Sequence, residues 1–249
     1  MESVLVHTFV SREKTIENLV VFILSQLQRN LNKGVSLFLS GGSLVDVYVQ
    51  FGIYLKQVRH THLALAQVDE RFQPSQKTDN SKQITVNRGQ KNTSSINAIE
   101  IGKTGLWNVC KGKNIPVHLV SQKGTLGISA QGYEKEIKQL FSEDFYKIAL
   151  LGMGKDGHTA GLLPGYGQKW NIDHLVVGYR NTGQFPQRIT LTPKALRLMD
   201  VAVVYVVGEK KRSILKKLQD YHNRKNLGIF PAIILDEIKY VHLFTDVQI

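Results

Sequence analysis

A histidine and a carboxylate stand two positions apart in a glycine-rich segment near the middle of the chain. The segment Gly152–Ala160, GMGKDGHTA, follows the apolar predicted strand Ile148–Leu151 and contains both Asp156 and His158. An unperturbed histidine titrates near pH 6.5, so it can exchange protons close to neutrality, and a neighbouring carboxylate can fix its tautomer. The segment therefore predicts that His158 acts as a general base with Asp156 beside it.

The same segment matches the G-x-G-x-x-G pattern of dinucleotide-binding turns, from Gly152 to Gly157. That pattern requires an acidic residue roughly 20 positions further on, at the end of the next strand. Asp173 precedes the next predicted strand instead, and Lys155-Asp156 would put a carboxylate where a pyrophosphate lies. We therefore predict no nucleotide cofactor.

A second segment has the composition of an anion-binding turn. Ser40-Gly41-Gly42-Ser43 lies between the predicted strand Val35–Leu39 and the predicted helix Leu44–Leu55. Glycines let the backbone approach a ligand, and a following helix offers free N–H groups and its positive dipole end. No Gly-Lys-Ser/Thr follows, which excludes a Walker loop. An ordinary tight turn is the alternative interpretation.

A third segment, Asp69-Glu70-Arg71, closes the predicted strand Leu63–Val68 with charges of both signs. A guanidinium binds phosphate or carboxylate through two parallel hydrogen bonds, so Arg71 is a candidate anion ligand. The alternative is a local ion pair that caps the strand.

The elements that must position these residues alternate between short apolar runs and longer amphipathic ones. Further predicted strands are Val4–Val10, Val117–Val120, Leu175–Tyr179, Ile189–Leu191, Val201–Val207 and Tyr240–Phe244, and further predicted helices are Arg12–Leu31, Ile128–Phe141 and Lys210–Tyr221. This alternation is typical of α/β proteins, and we predict a single doubly wound domain over residues 1–249 with a mostly parallel sheet and helices on both faces.

Because ligands bind beyond the carboxyl ends of parallel strands, the three segments should share one edge of the sheet. Residues 72–112 show no clear periodicity and are predicted to be irregular, and Ala232–Leu235 is read only as an apolar segment.

Composition narrows the classes of function. The chain has 249 residues, with 32 Lys and Arg against 20 Asp and Glu, a net charge of +12. This excess suits an anionic partner, whether nucleic acid, a membrane surface or a small phosphorylated molecule. On the predicted helix after Val207-Gly208, Lys211 should point toward the pocket, whereas Lys216 and Lys217 should be solvated.

The sequence also argues against several other classes of protein and of site. The single cysteine, Cys110, excludes an internal disulfide and a zinc site built from several thiolates. His60 and His62 alternate on one strand face without a further ligand, so we predict no metal. No apolar run reaches the 18 or more residues of a membrane span, and no signal peptide is visible, so a cytoplasmic protein is expected. No G-x-S-x-G occurs, which counts against an α/β-hydrolase serine.

Taken together, the segments resemble the motifs of 6-phosphogluconolactonases. They are Ser40–Ser43, VDERFQP with Asn80 downstream, LLGMGKDGHTAGLLPG, Arg188–Thr192 and Val207–Lys211. The resemblance covers nearly the whole chain and implies hydrolysis of 6-phospho-D-glucono-1,5-lactone in the oxidative pentose phosphate pathway, without a cofactor. It implies catalytic positions His158, Asp156 and Asp69, and substrate-binding positions Ser40, Gly41, Gly42, Ser43, Arg71, Asn80, Arg188 and Lys211.

The related glucosamine-6-phosphate deaminases carry a glutamate five positions after the histidine, where this chain has Leu163, and tend to have Tyr in place of Arg71. Both differences favour the lactonase. The chain departs from the lactonase pattern at Lys155, Asp79 and Gly161, where Pro, Ser and Ser are usual. It departs again over Asn181–Gln187, which replaces a Lys-Pro-Pro-rich stretch.

Two alternatives stay open at this stage: a deaminase-like sugar-phosphate isomerase, and a non-catalytic protein that senses sugar phosphates or binds nucleic acid. The oligomeric state is not predicted.

Overall fold

The described strands form two β-sheets. The computed structural model describes residues 4–59, 62–74, 96–220 and 226–248. The strands of these ranges are β1 (Val4–Thr8), β2 (Gly34–Leu39), β3 (Leu63–Gln67), β4 (Asp69–Arg71), β5 (Val117–His118), β6 (Phe145–Gly152), β7 (Val176–Arg180), β8 (Gln187–Leu191), β9 (Val201–Tyr205) and β10 (Val241–Thr245).

The helices connect these strands and cover the larger sheet. The α-helices are α1 (Arg12–Arg29), α2 (Val45–Leu55), α3 (Asn97–Lys103), α4 (Leu106–Gly112), α5 (Leu126–Ile137), α6 (Gly167–Trp170), α7 (Pro193–Arg197) and α8 (Arg212–Asp220). Short 3₁₀ helices span Gly42–Leu44, Lys138–Phe141, Glu209–Lys211 and Pro231–Glu237.

The larger sheet has the order β1-β10-β9-β6-β2-β3-β5, and each of its pairings is parallel. Its central strand, β6, is buried on both faces, as expected when helices cover both sides. Ile148 and Leu150 face one core with α1, α2, α3 and α4, whereas Ala149 and Leu151 face a second core with α5 and α8. The predicted doubly wound α/β fold is confirmed.

The smaller sheet, with the order β4-β8-β7, is antiparallel. The sequence predicted strands at Leu175–Tyr179 and Ile189–Leu191 but did not separate them from the parallel sheet. The separation occurs at Val68, whose N–H donates to Leu39 O at 2.9 Å while its carbonyl accepts from Leu191 N at 2.8 Å. This one residue joins the two sheets.

The prediction that residues 72–112 are irregular is wrong over part of that range. Helices α3 and α4 have seven residues each, which is too short for a 3.6-residue period to repeat clearly. The apolar segment Ala232–Leu235 is also helical, because Pro231 at its first turn favours a helix start and its residues fill the second core. Among the described helices, none has the length and apolar character needed to cross a membrane.

A buried tyrosine on α5 fixes the end of β3. The Tyr133 hydroxyl donates to Gln67 O at 2.5 Å and accepts from Gln67 N at 2.6 Å. The Gln67 side chain in turn accepts from Val120 N at 2.7 Å. These bonds hold the end of the strand that leads into the Asp-Glu-Arg segment.

We expect Tyr133→Phe to lower the free energy of unfolding by about 1–3 kcal/mol, because it leaves the N–H and the carbonyl of Gln67 unpaired in the interior. The exposed Tyr54 is the matched control, and Tyr54→Phe should change stability by less than about 0.5 kcal/mol. Urea unfolding followed by circular dichroism measures both. Equal stability of the two variants would contradict this account.

Candidate active site

The carboxyl ends of β2, β3 and β6 open onto one pocket of about 360 Å³. In the parallel register Leu39 pairs with Gln67 on one side and Leu150 on the other, so the segments that follow these strands come together. This confirms that the three segments share an edge. The pocket is lined by Ser40, Gly41, Gly42, Ser43, Asp69, Arg71, Asn97, Gly152, Met153, Gly154, His158, Ala160, Phe185, Arg188 and Lys211.

His158 and Asp156 form a hydrogen-bonded pair at this pocket. The distance from His158 Nδ1 to Asp156 Oδ1 is 2.6 Å. This bond lowers the pKa of the Asp156 carboxyl to about 2. An ionised carboxylate only accepts hydrogen bonds, so Nδ1 of a neutral His158 must carry the proton and Nε2 must keep its lone pair. His158 Nε2 is therefore the atom of this pair that can accept a proton.

Backbone conformation brings this pair into place. A Cβ on Gly154 would lie 2.1 Å from His158 Nδ1, and Gly157 has a φ of +85° with Phe230 filling the space where a Cβ would be. Ala160 follows with a φ of +51°, a left-handed conformation that costs a residue with a side chain about 1–3 kcal/mol. A side chain at Gly154 or Gly157 would therefore clash with its neighbours, and the positive φ of Gly157 also favours glycine.

Asp69 is buried at the floor of the pocket. Arg188 Nη1 lies 3.6 Å from Asp69 Oδ2, and the Asn97 amide donates to Asp69 O at 3.0 Å. Burial raises the pKa of the Asp69 carboxyl, and the positive field of Arg188 opposes that rise.

Three cationic side chains line the pocket. Arg71 lies opposite Arg188 in the β4–β8 register. Lys211 reaches the pocket from the 3₁₀ turn before α8, and its Nζ donates to Met153 O at 2.5 Å. Burial lowers the pKa of Lys211, and the charge of Lys155 lowers it further. The position predicted for Lys211 is confirmed, as is the exposure of Lys216 and Lys217.

The Gly-Gly turn is shaped by Asn97. A Cβ on Gly41 would lie 2.3 Å from Asn97 Oδ1, and Gly42 has a φ of +67°. The turn continues as the 3₁₀ helix Gly42–Leu44 before α2 begins at Val45, one residue later than predicted. The Ser40 hydroxyl beside it is buried without a hydrogen-bond partner among the described residues.

Glu70 anchors the segment without lining the pocket. Its buried carboxylate accepts from Asn97 N and Arg71 N at 2.7 Å, and from Ala98 N and the Gln67 amide at 2.8 Å. Burial raises the pKa of Glu70, while these four donors favour the ionised form. Two of the donors belong to the first turn of α3, so Glu70 fixes that helix against β4.

Sequence reasoning missed two residues of the pocket wall, Asn97 and Phe185. Asn97 stands in the range read as irregular, and Phe185 in the segment that departs from the lactonase pattern. An asparagine after the Asp-Glu-Arg run was expected, but the predicted one, Asn80, lies outside the described residues, as do Asp79 and His60. His62 is exposed and remote from the pocket.

The departure at Gly161 has a steric reason. A Cβ on Gly161 would lie 2.6 Å from Thr190 Cβ, so no side chain fits there. The Thr190 hydroxyl instead accepts a hydrogen bond from Gly161 N at 2.9 Å. Thr190 of β8 therefore occupies the space that a side chain at position 161 would need.

Both the sequence and the fold match known proteins. The family model for glucosamine-6-phosphate isomerases/6-phosphogluconolactonase matches residues 10–241. The chain belongs to this family. Rat 6-phosphogluconolactonase is 30% identical over 94 residues, which cover 36% of this chain and 37% of the rat protein. The matched segment thus spans little more than a third of that relative.

A longer match, to 6-phosphogluconolactonase of Haemophilus influenzae, is 26% identical over 192 residues and covers 76% of this chain and 75% of that protein. The fold of this family member resembles that of a 6-phosphogluconolactonase from Shewanella baltica, with a TM-score of 0.77, 19% identity and 98% of both chains covered. For the enzyme from Plasmodium vivax the TM-score is 0.76 at 18% identity, covering 97% of this chain and 89% of that one.

We expect Glu70→Gln to lower the free energy of unfolding by about 2–3 kcal/mol, because the new amide group meets N–H donors where an oxygen accepted them. The exposed Glu143 is the control, and Glu143→Gln should leave stability nearly unchanged. Urea unfolding of the two variants and the wild-type protein measures the difference. If Glu70→Gln is as stable as the control, this carboxylate does not anchor α3.

Proposed function

We propose that this protein hydrolyses 6-phospho-D-glucono-1,5-lactone to 6-phospho-D-gluconate, and that residues 1–249 form a single sugar-phosphate hydrolase domain. The observation that carries the proposal is the His158–Asp156 pair in a pocket lined by Arg71, Arg188 and Lys211. Such a pocket combines a base for an activated ester with cations for a phosphate. Membership of the family and the similarity to named 6-phosphogluconolactonases support it.

In the proposed reaction, His158 Nε2 accepts a proton from a water molecule as the water oxygen attacks C1 of the lactone. The carbonyl oxygen gains negative charge and is stabilised by N–H groups or a cation nearby. Collapse of the tetrahedral intermediate breaks the bond between C1 and the ring oxygen, which takes the proton back from His158. The carboxylic acid formed then loses a proton to solvent.

The role of Asp156 follows from its charge. With a pKa of about 2 it stays ionised at neutral pH and keeps the proton on Nδ1. It also stabilises the imidazolium that forms when Nε2 takes the proton from water. We assign Asp69 to positioning, because its carboxylate lies beside Arg188.

The phosphate group lies far from the reacting carbon, and its binding supplies orientation rather than chemistry. We assign it to Arg71, Arg188 and Lys211, with the Ser40–Ser43 turn as the remaining wall. Arg71 and Arg188 offer planar forks that bind two phosphate oxygens each.

The two alternative functions, a deaminase-like isomerase and a nucleic-acid binder, would require different residues. A deaminase-like isomerase needs a carboxylate where this chain has Leu163, and that side chain is partly buried against the second core. Release of ammonia from glucosamine 6-phosphate would support the isomerase. A nucleic-acid binder would use the exposed lysines of α8, and its affinity would fall steeply with salt.

The decisive assay follows proton release from freshly generated 6-phosphogluconolactone, with spontaneous hydrolysis subtracted. We expect His158→Ala to lower kcat by about 10²–10⁴, the contribution of a general base, without loss of fold. His174, exposed and outside the pocket, is the matched control, and His174→Ala should keep wild-type turnover. Turnover near the wild-type level in His158→Ala would refute the mechanism.

Variants at Lys211 and Lys216 distinguish binding of substrate in the pocket from a general effect of surface charge. Lys211→Ala should raise KM at least about 10-fold, since a charge-assisted bond contributes about 1.5–3 kcal/mol. Lys216→Ala should leave KM within about twofold, because salt screens an exposed charge beyond roughly 8 Å. Steady-state kinetics and DNA binding of both variants test this. Equal losses of DNA affinity with an unchanged KM would favour the nucleic-acid binder.

A further inference from the structure

Two arginines meet across the small antiparallel sheet at the pocket. Arg71 of β4 pairs directly with Arg188 of β8 in the strand register. Like charges in this arrangement repel one another. Their side chains are only 19% and 14% exposed, so water screens the repulsion poorly. Neighbouring groups must therefore offset it.

A carboxylate lies near each guanidinium group. Glu100 Oε1 lies 3.8 Å from Arg71 Nη1, and Asp69 Oδ2 lies 3.6 Å from Arg188 Nη1. Both distances exceed that of a hydrogen bond, so neither ion pair alone fixes the orientation of a guanidinium. The buried Nε of Arg188 has no hydrogen-bond partner within the described parts of the chain.

The ring of Phe185 lies against both guanidinium groups. Arg71 Cζ lies 4.0 Å from the ring centroid, and Arg188 Cζ lies 5.9 Å from it. A cation within about 6 Å of the centroid is attracted by the negative face of the ring. Attraction to the ring face requires none of the N–H donors of a guanidinium, so it is compatible with bidentate binding of phosphate.

Hydrogen bonds fix the backbone of the loop between β7 and β8 that carries Phe185. The buried Asn181 donates from its amide to Phe185 O at 2.8 Å and from its backbone N–H to Pro186 O at 2.8 Å. Its Oδ1 accepts from Gly183 N at 2.7 Å. Phe185 itself is only partly buried and lies outside both hydrophobic cores. Its contact with the arginines, rather than core packing, accounts for an aromatic residue here.

We infer that Phe185 is a positioning residue: its ring orients the guanidinium of Arg71 and so raises the affinity of the pocket for the phosphate group of the substrate. The inference rests on the proposed function for the identity of that substrate. It assigns Phe185 an effect on binding and none on the chemical step at His158.

The test removes the ring and then restores it. Phe185→Leu should raise KM for the phosphorylated lactone by about 2- to 30-fold, with kcat within about twofold. Phe185→Tyr keeps the ring and should restore the wild-type KM, and Phe185→Met is a second ring-free variant should the leucine variant not fold. The matched control is Gln184→Ala in the same loop, which should behave as wild type.

A double-mutant cycle shows whether Phe185 acts through Arg71. In an Arg71→Met background, Phe185→Leu should change KM by less than about twofold. Full additivity of the two substitutions, or a fall in kcat as large as the rise in KM, would overturn the inference. Titration with inorganic phosphate by calorimetry adds a measurement that is independent of turnover, and Phe185→Leu should weaken phosphate binding by a similar factor.

The outcomes distinguish this inference from the proposed function. A wild-type enzyme that hydrolyses the lactone, with a Phe185→Leu variant unchanged in KM and phosphate affinity, refutes the inference and leaves the function standing. A wild-type protein without lactonase activity refutes the function, and weaker phosphate binding by Phe185→Leu, restored in Phe185→Tyr, then supports the inference alone. A protein that neither hydrolyses the lactone nor binds phosphate refutes both.

Discussion

The candidate site depends on the parallel register of β2, β3 and β6. Leu39 pairs with Gln67 and with Leu150, so these strands end side by side. A slip of one residue would turn every side chain of a strand to the opposite face, and both faces of these strands are packed. The packing of the two cores therefore determines where the Gly-Gly turn, the Asp-Glu-Arg segment and the Asp156–His158 pair lie.

A polar network extends this constraint to the small antiparallel sheet. Val68 bonds to both sheets through its backbone, and Gln67 beside it is held by Tyr133 and by Val120. Glu70 then ties the same segment to α3. Each of these groups is buried, so each donor or acceptor left without a partner would carry a desolvation cost. Arg71 and Asp69 thus project from a backbone that is fixed on both sides.

The sequence predicted α1 from its long periodic face and β6 from a short, continuous apolar run, and it predicted the chemical segments at the strand ends. It did not predict α3 and α4, because seven residues hardly contain two helical turns. Asn97 was missed for the same reason, since its place in the pocket depends on where α3 begins. Phe185 gave no local signal: its contact with Arg71 joins residues 114 positions apart in the chain, through the pairing of β4 with β8.

The net charge of +12 is a poor guide to where an anion binds, and burial is a better one. Lys216 and Lys217 are exposed, where salt screens their charges, so their presence implies no ligand. Lys211, in contrast, is partly buried beside the pocket, and burial lowers its pKa. The side chains of Arg71 and Arg188 are also largely buried, and the two residues pair with each other across β4 and β8. These cations repel one another, and a phosphate dianion bound between them would attract all of them. A ligand of negative charge would therefore stabilise this arrangement, which supports the phosphate site of the proposed function.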